Sequence, residues 1–440
     1  GPASVSPSIW GPGVRGQWVG AEPATRNLLS SGLQVARGGP LLFLYKDGYY
    51  QTGQQALRKS LVEDLGTAWS IARVGEIERC LLDAAQPLPE RPSVQTLNVL
   101  NGLLDLETGR LSPHRPTFLS TIQLPVDFQP GAQCPAISQF MREVFPEGSE
   151  EVGFELAGWL LRPDSSFQQA VLLVGHGENG KSVFLKLLTA LIGRQNTAAH
   201  TLQELTENRF AKANLYGKLA NIGPDIPANN IDNSAVFKNI VSGDEITGER
   251  KGKDAFKFTP YARLIFSGNE IPTSSDTSHG YLRRWLVYRF PHRFSLRNDP
   301  APCPACNRVH LRENDIEKRL IQPNELSGFL NRAILAYDQV IRQGGFSVTT
   351  GRLQGAAEMV EAVDVLAAFF DERCILRSGV HCSKPELYIA YVAWAKESEQ
   401  GVLGKMKFNR RVAAHGFVEK RLDGYDYWAG IGLKQKEAHV

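Results

Sequence analysis

Residues Gly175 to Ser182 read GHGENGKS, a glycine-rich loop set between a short apolar run and an amphipathic one. Gly175 and Gly180 leave the backbone free to wrap a phosphate with its N–H groups, and the helix that follows points a favourable dipole at the anion. Lys181 is expected to reach the β- and γ-phosphates and Ser182 to hold Mg²⁺, with Gly177, Asn179 and Val183 completing the nucleotide-binding set. Such a loop works only between a strand and a helix. Ala170 to Gly175, AVLLVG, is a continuous apolar run, as for a strand buried on both faces. Phe184, Leu187, Leu188 and Leu191 then fall at helical spacing and stop at Gly193. From Ala170 to Phe290 apolar strands alternate with helices, the pattern of an α/β fold with a parallel sheet wrapped by helices. The loop implies ATP and Mg²⁺ as ligands.

At 440 residues the chain exceeds one ordinary core, and about two to four domains are expected. Its formal net charge of +3 excludes a globally basic surface, so contacts with nucleic acid must come from local Lys and Arg clusters. Cys80, Cys134, Cys374 and Cys382 stand isolated, which argues against a disulfide framework and for a reducing, cytoplasmic setting. No apolar run approaches the roughly 18 to 20 residues that span a bilayer, and no membrane partner is expected. The opening Gly1-Pro2 and the small-residue stretch to about Gly16 read as a tag remnant and linker, so the chain is expected to be a piece of a longer protein.

The expected organisation is a linker over 1–20, a mixed, partly helical domain over 21–165, the motor over 166–295, a helical segment over 296–345 and a C-terminal module over 346–440. In the first domain, Leu41 to Tyr50 reads as an aromatic hairpin and Gln55 to Ala72 as a helical run. Asn98 to Pro116 reads as a second hairpin with Thr108-Gly109 at its turn. Glu325 to Ile341 is helical and ends at the Gly344-Gly345 break. The last module predicts helices over Val363–Cys374, Lys384–Ser398 and Lys405–His415, then a hairpin turning at Asp423-Gly424, which together suggest a winged helix-turn-helix.

A motor also needs a carboxylate for the metal's water shell, and Asp225, closing the run KLANIGPDI, is the best candidate. Read alone it is equally a turn or cap residue after Pro224. Asn269, at the end of ARLIFSGN, is placed to sense a γ-phosphate, or is simply the first residue of a turn.

Taken together, GKLANIGPDIP, FKNIVSGDEITGERKGKDAFKFTPYARLIFSGNEIP and GYLRRWLVYRF resemble the superfamily 3 (AAA+) helicase motor of phage and plasmid primase-helicases and the related poxvirus primase-helicase. NGLLDLETGRLSPHRP and ELAGWLLRPD resemble the collar-type module before that motor, and the C-terminal segment resembles the family's winged-helix-like domain. The resemblance implies an AAA+ P-loop core and catalytic roles for Lys181, Asp225, Asn269 and Arg284, the last as a finger reaching a neighbouring subunit's ATP, with Arg283 as its alternative. It further implies a homo-oligomer, six subunits in a ring, 3′ to 5′ travel on single-stranded or forked DNA, and a primase or primase-polymerase domain upstream. Pro224 stands where a second acid is often found, which leaves the group that activates water open.

Gly252 turns a stretch whose tip carries Arg250, Lys251 and Lys253. By residues alone this is a solvated charged turn; by its position in the family it is a hairpin that tracks DNA. Lys405, Lys407, Arg410 and Arg411 crowd one helix, with Lys420 and Arg421 beyond, fitting either phosphate contact or a solvated basic face. Cys303-Pro-Ala-Cys306 with His310 and His292 has spacing compatible with a structural Zn²⁺ knuckle, but a lone CxxC is a weak signal and a mobile loop with two free thiols explains the same residues. The leading expectation is an ATP-dependent replicative DNA helicase. An ATP-dependent origin-binding initiator without unwinding and a P-loop phosphotransferase are the alternatives, separated by strand displacement and by DNA-stimulated hydrolysis.

Overall fold

The computed structural model describes residues 8–10, 18–164, 166–226, 234–252, 254–272, 274, 276, 278–363, 365–398, 402–422 and 425–434. The first layer holds α1 (Ala21–Ser30), the antiparallel β1 (Val35–Gly38), β2 (Leu41–Lys46) and β3 (Tyr49–Thr52), then α2 (Gln54–Leu65), α3 (Ile71–Ala84) and β4 (Gln86–Pro87), which adds to β1 in parallel. Asp47 at φ 53 and Gly48 at φ 91 turn the expected aromatic hairpin between β2 and β3. The expected helical run over Gln55–Ala72 is instead two helices, because Gly66 leaves α2 at φ 51 and the hydroxyl of Ser70 caps α3 by accepting the Arg73 N–H. A meander follows, of β5 (Thr96–Val99), β6 (Gly102–Asp105) and β7 (Leu111–Ser112). Its second turn holds Gly109 at φ 67 as expected, while a first reversal at Leu100-Asn101 makes three strands where two were expected.

Two helices, α4 (Pro135–Val144) and α5 (Glu151–Leu161), lead into the parallel α/β domain, and every residue of α5 from Val152 to Leu161 is buried. A helix apolar on all sides lies between other elements. The α/β domain runs β8 (Ala170–Val174), α6 (Lys181–Ile192), β9 (Thr197–Ala198), α7 (Leu202–Glu207), α8 (Arg209–Ala213), β10 (Ala220–Asp225), α9 (Ser234–Ser242), the hairpin β11 (Ile246–Gly248) and β12 (Phe256–Phe258), β13 (Arg263–Gly268), α10 (His279–Leu282) and β14 (Trp285–Arg289). Its five-stranded sheet has the order β14-β8-β13-β10-β9, with every pair parallel. All five residues of β8 are buried, as the continuous apolar run requires at the centre of such a sheet.

Beyond the α/β domain lie the parallel pair β15 (Phe294–Ser295) and β16 (His310–Leu311), α11 (Ile316–Leu320) and α12 (Pro323–Gln343), which opens on a proline and closes at Gly344 with φ 75. α12 packs closely on α5, where a Cβ at Gly158 would lie 2.1 Å from the Ala333 carbonyl oxygen. The Glu325 carboxylate accepts the Ala136 and Ile137 N–H groups at 3.2 and 3.0 Å, so α12 also caps α4. One apolar core consequently joins the meander, α4, α5, α6, the sheet and α12. A half-buried ion pair lies at the join: Arg263, at the start of β13, meets Asp164 at 2.8 Å with its guanidinium 4.8 Å over the Trp159 ring.

α13 (Thr350–Val363) lies on β14, where a Cβ at Gly355 would sit 2.6 Å from the Val287 carbonyl oxygen. The remaining elements are α14 (Val365–Arg373), β17 (Cys374–Ser383), α15 (Lys384–Glu397), α16 (Lys405–Ala414), β18 (Val418–Leu422) and β19 (Tyr425–Leu433). They form three helices on an antiparallel sheet of order β17-β19-β18 around their own core of Phe369, Tyr391, Phe408 and Trp428. The Asp423-Gly424 turn lies outside the described residues. Among the described residues no helix is long and apolar enough to cross a membrane.

Candidate active site at the carboxyl edge of the sheet

Parallel strands bring their carboxyl ends to one edge, and ligands of such sheets settle where the strand order reverses. Here β8 sits between β14 and β13, and the glycine-rich loop leaves β8 at that edge. Gly175 N–H donates to the Gly268 carbonyl at 3.1 Å, tying the loop to the end of β13. A Cβ at Gly175 would lie 2.4 Å from Asn179 Nδ2, and one at Gly180, which has φ 87, would lie 2.6 Å from Val144 Cγ1. Both positions exclude a side chain. Gly177 faces open space, with no atom within 4 Å of where its Cβ would be.

Asn179 laces the loop internally, donating through Nδ2 to the His176 carbonyl and accepting the Lys181 N–H through Oδ1 at 3.2 Å. Lys181 is buried and its ammonium donates to the Gly175 carbonyl. Burial pushes its pKa down, against the opposing pull of Asp225. Ser182 is exposed at the start of α6 and Val183 is half-buried. Glu178 stands at φ 63 in the loop, and its carbonyl accepts the Phe294 N–H at 2.8 Å while its carboxylate pairs with Arg293 at 3.2 Å.

Asp225 is exposed at the end of β10, and Ser267 Oγ donates to its Oδ1 from β13. The register between these strands shifts between Ile222 and Asp225, a bulge that re-aims the acid. Asn269 is exposed immediately beyond β13. The loop, Asp225 and Asn269 therefore leave three adjoining strands at the same edge. Ser267 was not anticipated; its signal is a hydroxyl in an otherwise apolar strand ending, Leu264-Ile265-Phe266.

Arg283 and Arg284 part company. Arg284 faces inward, with its guanidinium donating to the Gly280 carbonyl and, at 2.7 Å, to Ser242 Oγ. Its Nε has no hydrogen-bond partner among the described residues. Arg283 is exposed, with a 3.2 Å contact to Gln168 Oε1. In the single chain the outward arginine is thus Arg283, because the turn after α10 buries the side chain that precedes Trp285. The hairpin β11/β12 projects Lys251 and Gly252, the latter at φ 71, into solvent, and Lys253 lies outside the described residues. Arg250 is turned back, its guanidinium 5.1 Å over the Phe256 ring and 5.9 Å over that of Tyr216. On α16, Lys405, Lys407 and Arg410 are exposed, whereas Arg411 is buried and donates to the Ser274 carbonyl of the α/β domain at 2.7 Å.

His292, Cys303, Cys306 and His310 converge beside the loop, with one donor atom from each within 4.8 Å of the others. Cys306 Sγ is 3.0 Å from His310 Nε2 and Cys303 Sγ is 4.0 Å from His292 Nδ1. Burial, with the neighbouring His310 and Arg308, holds His292 below its ordinary pKa.

Two family profiles match this chain: a family of unknown function (DUF5906) over residues 173–284, and the D5 N terminal like family over residues 56–146. A protein of Invertebrate iridescent virus 3 that carries a provisional helicase name is 22% identical over 407 residues, covering 86% of this chain and 42% of its own. A protein of Acanthamoeba polyphaga mimivirus with the same kind of name is 26% identical over 324 residues, covering 66% of this chain and 33% of its own. The chain thus spans less than half the length of these curated relatives. The apo structure of the C-terminal region of NrS-1 shares the fold with a TM-score of 0.53 at 15% identity, over 94% of this chain and 100% of that one. A second apo form gives 0.51 at 14%, over 94% and 99%.

Proposed function

The chain belongs to the primase-helicase family of phages and viruses, and on that premise we propose that it is the ATP-driven DNA helicase part of such a protein, built on an AAA+ motor of superfamily 3 type. The observation that carries the reading is the alignment of the Gly175–Ser182 loop, Asp225 and Asn269 at one edge of a parallel sheet, at the point where strand order reverses. The fit to a nucleotide is supported by glycines at 175 and 180 that no larger residue could replace, and by a buried Lys181 whose ammonium donates to the loop's own Gly175 carbonyl.

In this reading the loop N–H groups and Lys181 bind the β- and γ-phosphates of the substrate ATP, with Lys181 exchanging the Gly175 carbonyl for phosphate oxygen. Ser182 and Asp225 would hold Mg²⁺, which would supply positive charge to offset that of the phosphates. Asn269 orients the attacking water, and an arginine of the Arg283-Arg284 pair reaches the nucleotide of the next subunit in a ring of six. Lys251 and Lys253 at the hairpin tip track single-stranded DNA, with travel 3′ to 5′. The C-terminal module acts as a winged helix presenting Lys405, Lys407, Arg410, Lys420 and Arg421 to phosphates. The relatives' greater length agrees with a primase or primase-polymerase domain upstream.

The test is strand displacement on a forked duplex with ATP, together with hydrolysis measured with and without single-stranded DNA. DNA-stimulated hydrolysis with displacement is expected. Stimulated hydrolysis without displacement would instead point to an initiator or loader, and hydrolysis indifferent to DNA would end the helicase reading.

A further inference from the structure

Between residues 296 and 319 only Cys303 is buried, while Leu296, Val309 and Leu311 are 45%, 50% and 43% exposed. A segment with so little apolar core needs a staple to hold a shape. It nevertheless has one. β15 and β16 pair in parallel, the Cys303 N–H donates to the Arg308 carbonyl at 2.8 Å, and Asn307 stands at φ 54 directly after the second cysteine. That fold brings together the ligand atoms of His292, Cys303, Cys306 and His310.

We propose that these four residues hold one structural Zn²⁺ ion, and that the loaded knuckle braces the nucleotide loop through Glu178. Two thiolates and two neutral imidazoles are the donor set of a closed tetrahedral zinc site, with Zn–S near ~2.3 Å and Zn–N near ~2.0 Å. The sulfur donors disfavour Mg²⁺ and Ca²⁺, and four protein ligands leave no open position for catalysis. Binding displaces one proton from each thiol to solvent, leaving the site neutral overall.

The brace runs through consecutive residues. His292 is followed by Arg293, whose N–H donates to Cys303 Sγ at 3.4 Å and whose guanidinium pairs with the Glu178 carboxylate. Phe294 N–H then donates to the Glu178 carbonyl. Glu178 holds a left-handed backbone that a non-glycine residue adopts only at a cost, so these contacts fix the loop in shape. The bracing half of the inference rests on the nucleotide reading of the loop; the metal half does not.

The experiment measures zinc by mass spectrometry in protein purified without added metal, then nucleotide affinity with a fluorescent ATP analogue before and after chelator stripping, and in C306S. About one zinc per chain is expected in the natural chain, lost in C306S. Stripping is expected to weaken the analogue by roughly 10- to 100-fold, and zinc readdition to restore it in the stripped chain but not in C306S. Release of zinc on thiol alkylation of the unaltered chain gives a readout that does not depend on the variant folding. Zinc far below stoichiometry, or a Cys303–Cys306 disulfide in its place, overturns the site. Zinc present with affinity unchanged on stripping overturns the brace. A zinc-loaded chain that binds no nucleotide leaves the metal site standing and removes the nucleotide reading beneath the brace.

Discussion

Ser267, buried in β13, donates its hydroxyl to the carboxylate of Asp225 on the neighbouring strand β10. The bond orients an acid that would otherwise swing freely at the edge of the sheet. D225N is expected to cut ATP hydrolysis by roughly 10²-fold or more while retaining nucleotide binding, as an acid acting on the metal's water shell requires. S267A, which removes only the orienting hydroxyl, should cost roughly 10- to 100-fold in kcat with little change in KM. Steady-state hydrolysis checks both, and an S267A chain with unaltered kcat would remove Ser267 from the site.

The inward turn of Arg284 separates it from its neighbour in a way that mixing experiments read directly. R284A breaks bonds to Gly280 and Ser242 and should lower Tm. R283A should leave Tm unchanged but depress hydrolysis in the assembled protein by roughly 10³-fold, the scale typical of a finger acting in trans. Doping either variant into unaltered chains identifies the contact. If R284A keeps its Tm and alone inhibits mixed assemblies, Arg284 exchanges its internal bonds on assembly and is itself the finger.

At the hairpin, K251A combined with K253A is expected to abolish strand displacement and spare basal ATPase. R250A differs in kind, because Arg250 packs over Phe256 and Tyr216 and its loss should loosen the hairpin itself. Unwinding at the normal rate by the double lysine variant would exclude the tip from the mechanism.

Glu155, buried on α5, accepts hydrogen bonds from the Ser347 N–H and hydroxyl. Burial raises its pKa despite those bonds, with Glu151 adding to the rise and Arg352 opposing it. The folded chain therefore keeps a proton where the unfolded chain has lost it, and the resulting stability is full below the unfolded value of about 4.3 and fades as pH rises through the raised one. E155Q cannot ionise, so its Tm should gain on that of the unaltered chain as pH rises from about 4 to 8. Thermal unfolding across that range checks it, and a difference that stays flat or narrows would contradict it.

Legibility in the sequence followed the range of the interaction. The strand, loop and helix around Lys181 were readable because apolar runs, helical spacing and glycines at fixed offsets are local signals, as was α12 between Pro323 and Gly344. β17 was missed: of its ten residues only Cys374 and Cys382 are buried, so it shows no alternation. The inward Arg284, the bond from Ser267 to Asp225 and the reach of Arg411 to Ser274 depend on which strands and helices become neighbours, which no local period encodes. Residues 292–310 were legible as a spacing but not as a convergence, since the parallel pairing of β15 with β16 closes the cluster.

Close contact between Gly158 and Ala333 has a practical consequence for anyone dissecting this chain. An α/β domain excised from residue 166 onward would strip α12 of the helix it lies against, and one ending before α12 would lay bare the face of α5 that α12 covers. The smallest autonomous fragment must then begin ahead of the meander and finish after α13, while α14 to β19, with a nucleus of their own, are the portion that a protease should release intact.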